Sequence, residues 1–467
     1  MTLIQSISGI RGTHGGRPGE GLSPVDVMKF TGAYAMWLKS HFGEGRITVV
    51  VGRDARLSGP MVNKIVTATL QAMGIDVIDA GLSTTPTTAI GVSHFKAQGG
   101  IMLTASHNPK NWNALKLFDQ DGSFLTAEQG RQMNDYMDMN AFEFVSVEKF
   151  GSYTREECLI EMHIEKVLAL PLVDVEAIRA ADFSVVVDAV SSSGGIAIPM
   201  LLEALGVKKV HELYCEPNGM FPHNPEPLPE NLGELSSVVV NKNAHVGFAV
   251  DPDVDRLAIV CEDGEMFGEE YTLVAVADYV LSHTPGNTVS NLSSTQALKE
   301  VTEKHKQQYF SSAVGEVNVV AKMKEHNAVI GGEGNGGVIY PELHPGRDAL
   351  TGVALFLTHL AKFGKQCSVL KRKYPEFYIS KNKIELPGDM DLDSVLEFIN
   401  KKYHRQPLDN TDGTKVWFDR EWVHLRKSNT EPIMRIYAES DSSSMADNLA
   451  NKIISDIREF MKGEEED

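Results

Sequence analysis

The sequence predicts an α/β protein of several domains, closed by a smaller α+β unit. Three observations predict it. Short apolar, β-branched runs alternate with stretches of helical spacing over most of the chain. Its 467 residues call for three or four cores at roughly 100–200 residues per domain. After Pro375 the alternation gives way to a different order of elements.

In chain order, Ile47 to Val51 reads as a strand ending at the turn Gly52-Arg53-Asp54. Val62, Ile65, Val66, Leu70 and Met73 then recur at helical spacing, with Gly74 placed to close the helix. The same order returns at Ser184 to Val190 with a helix toward Leu205, and at Thr288 to Leu292 with a helix over Thr295 to His305. Lys208 to Glu230, containing CEPNGMFPHNPEPLPE, reads as a long surface loop, because proline removes donors and fixes φ. Beyond Pro375 come a helix near Leu392 to Tyr403, strands over Val416 to Leu425 and Ile433 to Ala438, and a helix from Met445 to Met461. The tail GEEED is a like-charge run expected to be solvated. No short repeat period is visible. Domains are expected at 1–152, 153–256, 257–372 and 373–467.

A formal charge of −19, with 42% hydrophobic and 23% charged residues, is ordinary globular composition. It argues against nucleic acid as a partner, since that affinity comes from neutralising phosphates. An anionic substrate must meet a locally basic pocket. Cys158, Cys215, Cys261 and Cys367 form no CxxC pair, so they read as buried thiols in a reducing compartment rather than a zinc site or a disulfide framework. No run approaches the ~18 apolar residues of a membrane span, and MTLIQSISGIRG lacks the features of a signal peptide. A cytoplasmic protein with no membrane partner is expected.

Four segments carry chemistry. GGIMLTASHNP (99–109) is an apolar strand running into a loop that presents Thr104, Ser106, His107 and Asn108, at the strand end where open α/β sheets place ligands. Taken alone it could be a turn whose Ser and Asn bond the local backbone. No GxSxG elbow supports a hydrolase. VGFAVDPDVDRLAIVCE (246–262) sets Asp251, Asp253 and Asp255 at alternate positions between two strands. Three carboxylates on one loop suit Mg²⁺, which keeps other oxygen ligands, and they repel one another without a cation. Arg256 where an EF-hand needs glycine, and strands in place of helices, argue against a calcium hand. GGEGNGG (331–337) contains GxGxxG but opens no helix, leaving a glycine turn that holds Glu333 and Asn335, a pair suited to sugar hydroxyls. RKSNTEPIMR (426–435) gathers Arg426, Lys427, Ser428, Asn429 and Thr430 in one turn with Arg435 on the next strand, the makings of a phosphate cradle. SGIRG with Arg11, and GRDARLSGP with Arg53 and Arg56, add further cations.

TASHNP, DPDVDR, GEGNGG and RKSNTEP, in this order and at these separations, resemble the α-D-phosphohexomutase superfamily over nearly the whole chain. The resemblance implies four domains around a central cleft, three of similar mixed α/β build with a sheet between helices and a smaller fourth, each contributing one motif. It implies a phosphoserine at Ser106 and Mg²⁺ on Asp251, Asp253 and Asp255 together with a phosphoserine oxygen. Arg256, Arg11 and Lys116 would sit beside the phosphoryl group, with Lys116 and His107 as candidates for moving protons. Glu333 and Asn335 would read the sugar, and Arg426, Ser428, Asn429, Thr430 and Arg435 would hold the non-reacting phosphate. The implied reaction passes a phosphoryl group from serine to a hexose monophosphate through a hexose 1,6-bisphosphate, which also serves as activator.

Asn335 and Gly337 stand where many of these sugar loops have Ser and His, and Ala114 stands where a glycine is usual. GEGNGG followed by GRDAL resembles a branch assigned to phosphoglucosamine or phosphomannose conversion, Glu431-Pro432 after the phosphate turn resembles phosphoglucosamine mutases, and Ser428-Asn429-Thr430 matches phosphomannomutases and phosphoglucomutases, with the balance leaning to glucosamine phosphate. A phosphatase or kinase lacks support, with no Walker A sequence present. A non-catalytic sugar-phosphate sensor would need neither the serine nor the triad. A monomer or homodimer is expected.

Overall fold

The computed structural model describes residues 1–6, 9–43, 45–385, 392–427 and 433–465. Its first three sheets repeat one four-strand unit. In the first sheet these strands are Thr48–Arg53, Asp76–Leu82, Gly99–Leu103 and Trp112–Phe118. In the second they are Ser184–Asp188, Lys209–Leu213, Val246–Val250 and Leu257–Cys261, and in the third Thr288–Asn291, Tyr309–Ser312, Ile330–Glu333 and Gly337–Ile339. Each unit has the spatial order fourth, third, first, second. The first strand pairs in parallel with the second and third, and the fourth returns antiparallel to the third as a hairpin. The hairpin loops are therefore equivalent places in three sheets, and they hold Ser106, the three aspartates, and the Glu333 turn.

The runs near 48, 184 and 288 fold as the expected first strands, each followed by a helix: Gly59–Ala72, Gly194–Ala204 and Ala297–Lys304. Lys209–Leu213 corrects the sequence reading, being a strand where loop was expected. The proline-rich signal begins only at Cys215, after that strand has paired at a sheet edge. Two domain breaks also move. Tyr153–Arg155 pairs with Asp76–Leu82, so the first sheet runs past 152. Leu257–Cys261 completes the second sheet, so that unit runs past 256. Cys158 is exposed, against the expectation of four buried thiols, while Cys215, Cys261 and Cys367 are buried.

The first sheet carries apolar clusters on both faces, one including Phe30, Leu38 and Val66, the other Val92, Met102 and Phe118. The second and third units share a core, where Phe356 of helix Ala349–Phe363 meets Phe248 and Phe267 at ring separations of 6.1 and 5.2 Å. The fourth sheet is wholly antiparallel and starts at Tyr378–Glu385, a strand the sequence reading passed over. Helices Leu392–Lys402 and Ser443–Glu465 belong to the same unit, the latter continuing into the acidic tail whose last two positions lie outside the described residues. Among the described residues no helix is long and apolar enough to cross a membrane.

The first three units meet at a buried histidine. His163 contacts Thr87 Oγ1 at 2.8 Å and Asp348 Oδ2 at 3.1 Å, and Asp348 also caps helix Ala349–Phe363. Burial pushes Asp348 up, but His163, His344 and Thr351 outweigh it and set the carboxyl at about 2. A carboxyl depressed in the fold stabilises it above the ordinary 3.8 and loses that contribution as pH falls toward 2. Asp348→Asn is expected to cost about 2 kcal/mol at neutral pH and to flatten the acid limb of stability. Urea midpoints between pH 2 and 7 check both effects.

Candidate functional site

Ser106 sits in the first hairpin loop, beyond the fully buried strand Gly99–Leu103. Its φ of +49° is left-handed, an uncommon conformation for a side-chain-bearing residue, so the surroundings must impose it. Its N–H donates to Thr104 Oγ1 at 2.9 Å, and Thr104 in turn donates to Asp54 at 2.7 Å. Arg56, completely buried, is held by Asp54 at 2.9 Å and donates to the carbonyls of Ser106, Asn108, Pro109 and Trp112. One guanidinium thus pins the whole loop. Arg56→Met leaves those carbonyls and the Asp54 carboxylate uncompensated, an expected loss of about 3–5 kcal/mol in stability, read from denaturant unfolding.

The second hairpin loop crosses the first. Its turn is tightened by Val254 at φ +63° and by N–H bonds from Asp255 and Arg256 to Asp251 Oδ1 at 3.1 and 3.2 Å. Ser106 Oγ donates to Asp251 Oδ2 at 2.6 Å. Asp251, Asp253 and Asp255 are all fully buried, and one ligand atom from each lies within 4.8 Å of the others. Lys116 Nζ reaches Asp253 at 2.6 Å and Asp255 at 3.2 Å, while Thr85 Oγ1 also donates to Asp253. Burial pulls Lys116 down, but these two carboxylates overcome it and hold the ammonium above its ordinary value. Burial and its two neighbours push Asp251 well above the carboxylate range. Asp253 Oδ1 and Asp255 Oδ1 have no hydrogen-bond partner among the described residues. Buried carboxylates that repel one another, with oxygens left over, fit a hard dication.

Basic side chains gather about His107, the residue after Ser106. Arg11, on the strand Gly9–Thr13, is lowered by burial and by Arg256, and His107 is held well below its ordinary value by burial, Arg256 and Arg11. Arg256 reaches Glu226 of the proline-rich segment at 3.3 Å. Two guanidiniums beside a neutral imidazole suit an anion of two charges.

In the third hairpin, Glu333 is buried and already oriented. It accepts from Asn291 at 2.8 Å, Gly315 N–H at 3.0 Å and Arg347 at 2.7 Å. Asn335 uses its Oδ1 to close its own turn, accepting from Gly337 N–H at 3.2 Å. The segment opens no helix, as expected.

Arg426 and Arg435 are cross-strand neighbours in the fourth sheet. Arg426 pairs with Asp412 at 3.3 Å, and Asp412 also accepts from Val314 N–H at 2.9 Å, tying this unit to the third. Ser428, Asn429 and Thr430 lie outside the described residues. The groups that sequence reasoning did not single out for the site are Arg347, Glu316, Thr85 and Glu226. Arg347 stands in the GRDAL already quoted, but its three partners are far apart in the chain.

Four family models match in order: phosphoglucomutase/phosphomannomutase α/β/α domain I over residues 3–143, domain II over 161–264, domain III over 268–378, and the C-terminal domain over 387–455. The chain is 35% identical to a phosphoglucomutase/phosphomannomutase of Thermococcus kodakarensis, covering 97% of this chain and 99% of that one. It is 29% identical to a phosphoglucosamine/phosphogalactosamine mutase of Sulfurisphaera tokodaii, over 92% and 95%. A crystal structure of a phosphoglucomutase/phosphomannomutase family protein from Burkholderia thailandensis superposes with a TM-score of 0.82 at 25% identity, over 99% of this chain and 98% of that one.

Proposed function

The chain belongs to the phosphoglucomutase/phosphomannomutase family and is a phosphohexomutase, and from that premise we propose that Ser106 carries the phosphoryl group and that glucosamine phosphate is the preferred sugar. The observation that carries the first part is the Ser106 hydroxyl, 2.6 Å from Asp251 inside the carboxylate triad. That hydroxyl is bonded into a candidate dication site, and the next residue in the chain, His107, feels the charge of Arg11 and Arg256.

In the proposed cycle the bond between phosphorus and Ser106 Oγ breaks as a sugar hydroxyl oxygen bonds to the same phosphorus. The proton of that hydroxyl passes to a base, and Oγ is released to take a proton of its own. The bisphosphate so formed returns its other phosphoryl group to Ser106. His107, held in its neutral form by burial, Arg256 and Arg11 and with Nδ1 unbonded among the described residues, is the candidate with a free lone pair for the proton, while Lys116 stays an ammonium facing the triad. Asp251, Asp253 and Asp255, with an oxygen of phosphorylated Ser106, would hold Mg²⁺. When bound, that ion offsets the charge on the transferring group. Glu333 and Asn335 read the ring. Arg426, Ser428, Asn429, Thr430 and Arg435 receive the second phosphate.

Glucosamine is favoured by Glu431-Pro432 after the phosphate turn and by relatives such as the phosphoglucosamine/phosphogalactosamine mutase. Ser428-Asn429-Thr430 and the Thermococcus relative support a second reading, glucose or mannose phosphate. Parallel turnover of glucosamine 6-phosphate, mannose 1-phosphate and glucose 1-phosphate, with Mg²⁺ and a trace of sugar 1,6-bisphosphate, decides between them. A higher kcat/KM for glucosamine 6-phosphate supports the first reading. A preference for either neutral hexose overturns it.

A further inference from the structure

Arg347 spends every arm of its guanidinium inside the site. Nη2 donates to Asp255 Oδ2 at 2.7 Å, Nη1 to Glu333 Oε2 at 2.7 Å, and Nε to Glu316 Oε2 at 3.0 Å. Its backbone N–H adds a bond to Glu316 Oε1 at 3.1 Å. Asp255 stands on the aspartate loop of the second unit and Glu333 on the hairpin of the third. One planar, rigid side chain therefore fixes the separation of a carboxylate proposed for the metal and one proposed for the sugar.

Two neighbouring features serve this arrangement. Glu316 opens helix Glu316–His326 directly after Gly315, whose N–H bonds the other oxygen of Glu333 at 3.0 Å, so Gly315, Glu316, Arg347 and Glu333 close a ring. Position 337 is glycine, and a Cβ there would lie 2.2 Å from Arg347 Cδ. The space beside the sugar turn is thus filled by the arginine stem, at the position where the resembling sugar loops place histidine.

We infer that Arg347 is a positioning residue that locks the sugar-reading carboxylate Glu333 to the metal loop through Asp255, and so sets sugar discrimination. The inference rests on the roles proposed above for those two residues. An ammonium supplies a point charge without the planar fork, so lysine keeps the charge and loses the spacing. Alanine at 337 displaces the arginine stem and removes no charge.

The test compares Arg347→Lys, Arg347→Met and Gly337→Ala with the parent. It reads kcat and KM for glucosamine 6-phosphate, glucose 1-phosphate and mannose 1-phosphate, Mn²⁺ affinity of the sugar-free protein, and thermal melting. In variants that melt as folded proteins, KM is expected to rise about tenfold or more, the ratio of kcat/KM between gluco and manno sugars to shrink, and Mn²⁺ to bind at least as tightly in Arg347→Met. Lysine is expected not to rescue. Unchanged KM and sugar ratio in folded variants would overturn the inference, as would a fall in kcat shared by all sugars at constant KM, which would assign Arg347 to phosphoryl transfer. A Ser106→Ala control separates the levels: if it still turns over, the underlying reading fails, and if it is inactive, the variants report on Arg347 alone.

Discussion

Ser106→Ala is expected to abolish turnover, by at least about a thousandfold, while leaving the melting temperature close to that of the parent. The hydroxyl makes one side-chain bond, to Asp251, and the loop around it is held by Arg56 and Thr104 through backbone atoms that alanine retains. Fold and activity should therefore separate. Intact mass supplies an independent readout: the parent should contain a fraction about 80 Da heavier, one phosphoryl group, that the variant lacks. A variant that keeps this addition places the phosphate on another residue. A variant that keeps activity removes Ser106 from the reaction altogether.

The second large effect is expected for Asp251→Asn. Three buried carboxylates share a space 4.8 Å across, with Lys116 bonded to only two of them. Asp251 bears the repulsion: burial, Asp253 and Asp255 push its carboxyl well above the carboxylate range, against the smaller opposing pull of Arg256 and Ser106, and no cation is bonded to it among the described residues. An amide keeps the shape, relieves the cost of a carboxyl held away from its charged form, and cannot supply the negative charge a dication needs. Without divalent metal the variant should melt at or above the parent temperature, since like charges close together destabilise the fold they occupy. With Mg²⁺ the order should reverse, because ligand binding stabilises only a protein that still binds it. Turnover should fall by about two to four orders of magnitude. Undiminished activity at limiting Mg²⁺ would take Asp251 out of the metal site.

The α/β character, the three successive units and the distinct final unit were legible because apolar periodicity records which face of each element is buried. Ser106, the three aspartates and Glu333 were legible because each stands in a short local motif. What escaped was non-local. Lys209–Leu213 is an edge strand whose burial pattern is mixed, so alternation there is weak. The breaks near 152 and 256 were misplaced because a short edge strand and a returning hairpin strand belong to sheets begun much earlier. Arg347 and Glu316 are ordinary residues in their own segments, and their meaning lies in partners 92 and 31 positions away. The repeat was legible as a returning order of strand and helix, but the common strand order and pairing were not, because no period in the amino acids records them.

That repeat has a consequence for how the molecule comes into being. Each hairpin that carries part of the site is local to its own sheet and can form early, but the contacts that make the site join residues 145, 137 and 92 positions apart. Contacts of such long range close slowly, after the chain has lost much of its freedom. A single sheet with its hairpin therefore holds one part of the reaction centre and never the whole of it. The aspartate triad stands on one loop, but the serine, lysine and arginine that face it come from other units, so it is the docking of the units, and not the folding of any one, that assembles the reaction centre.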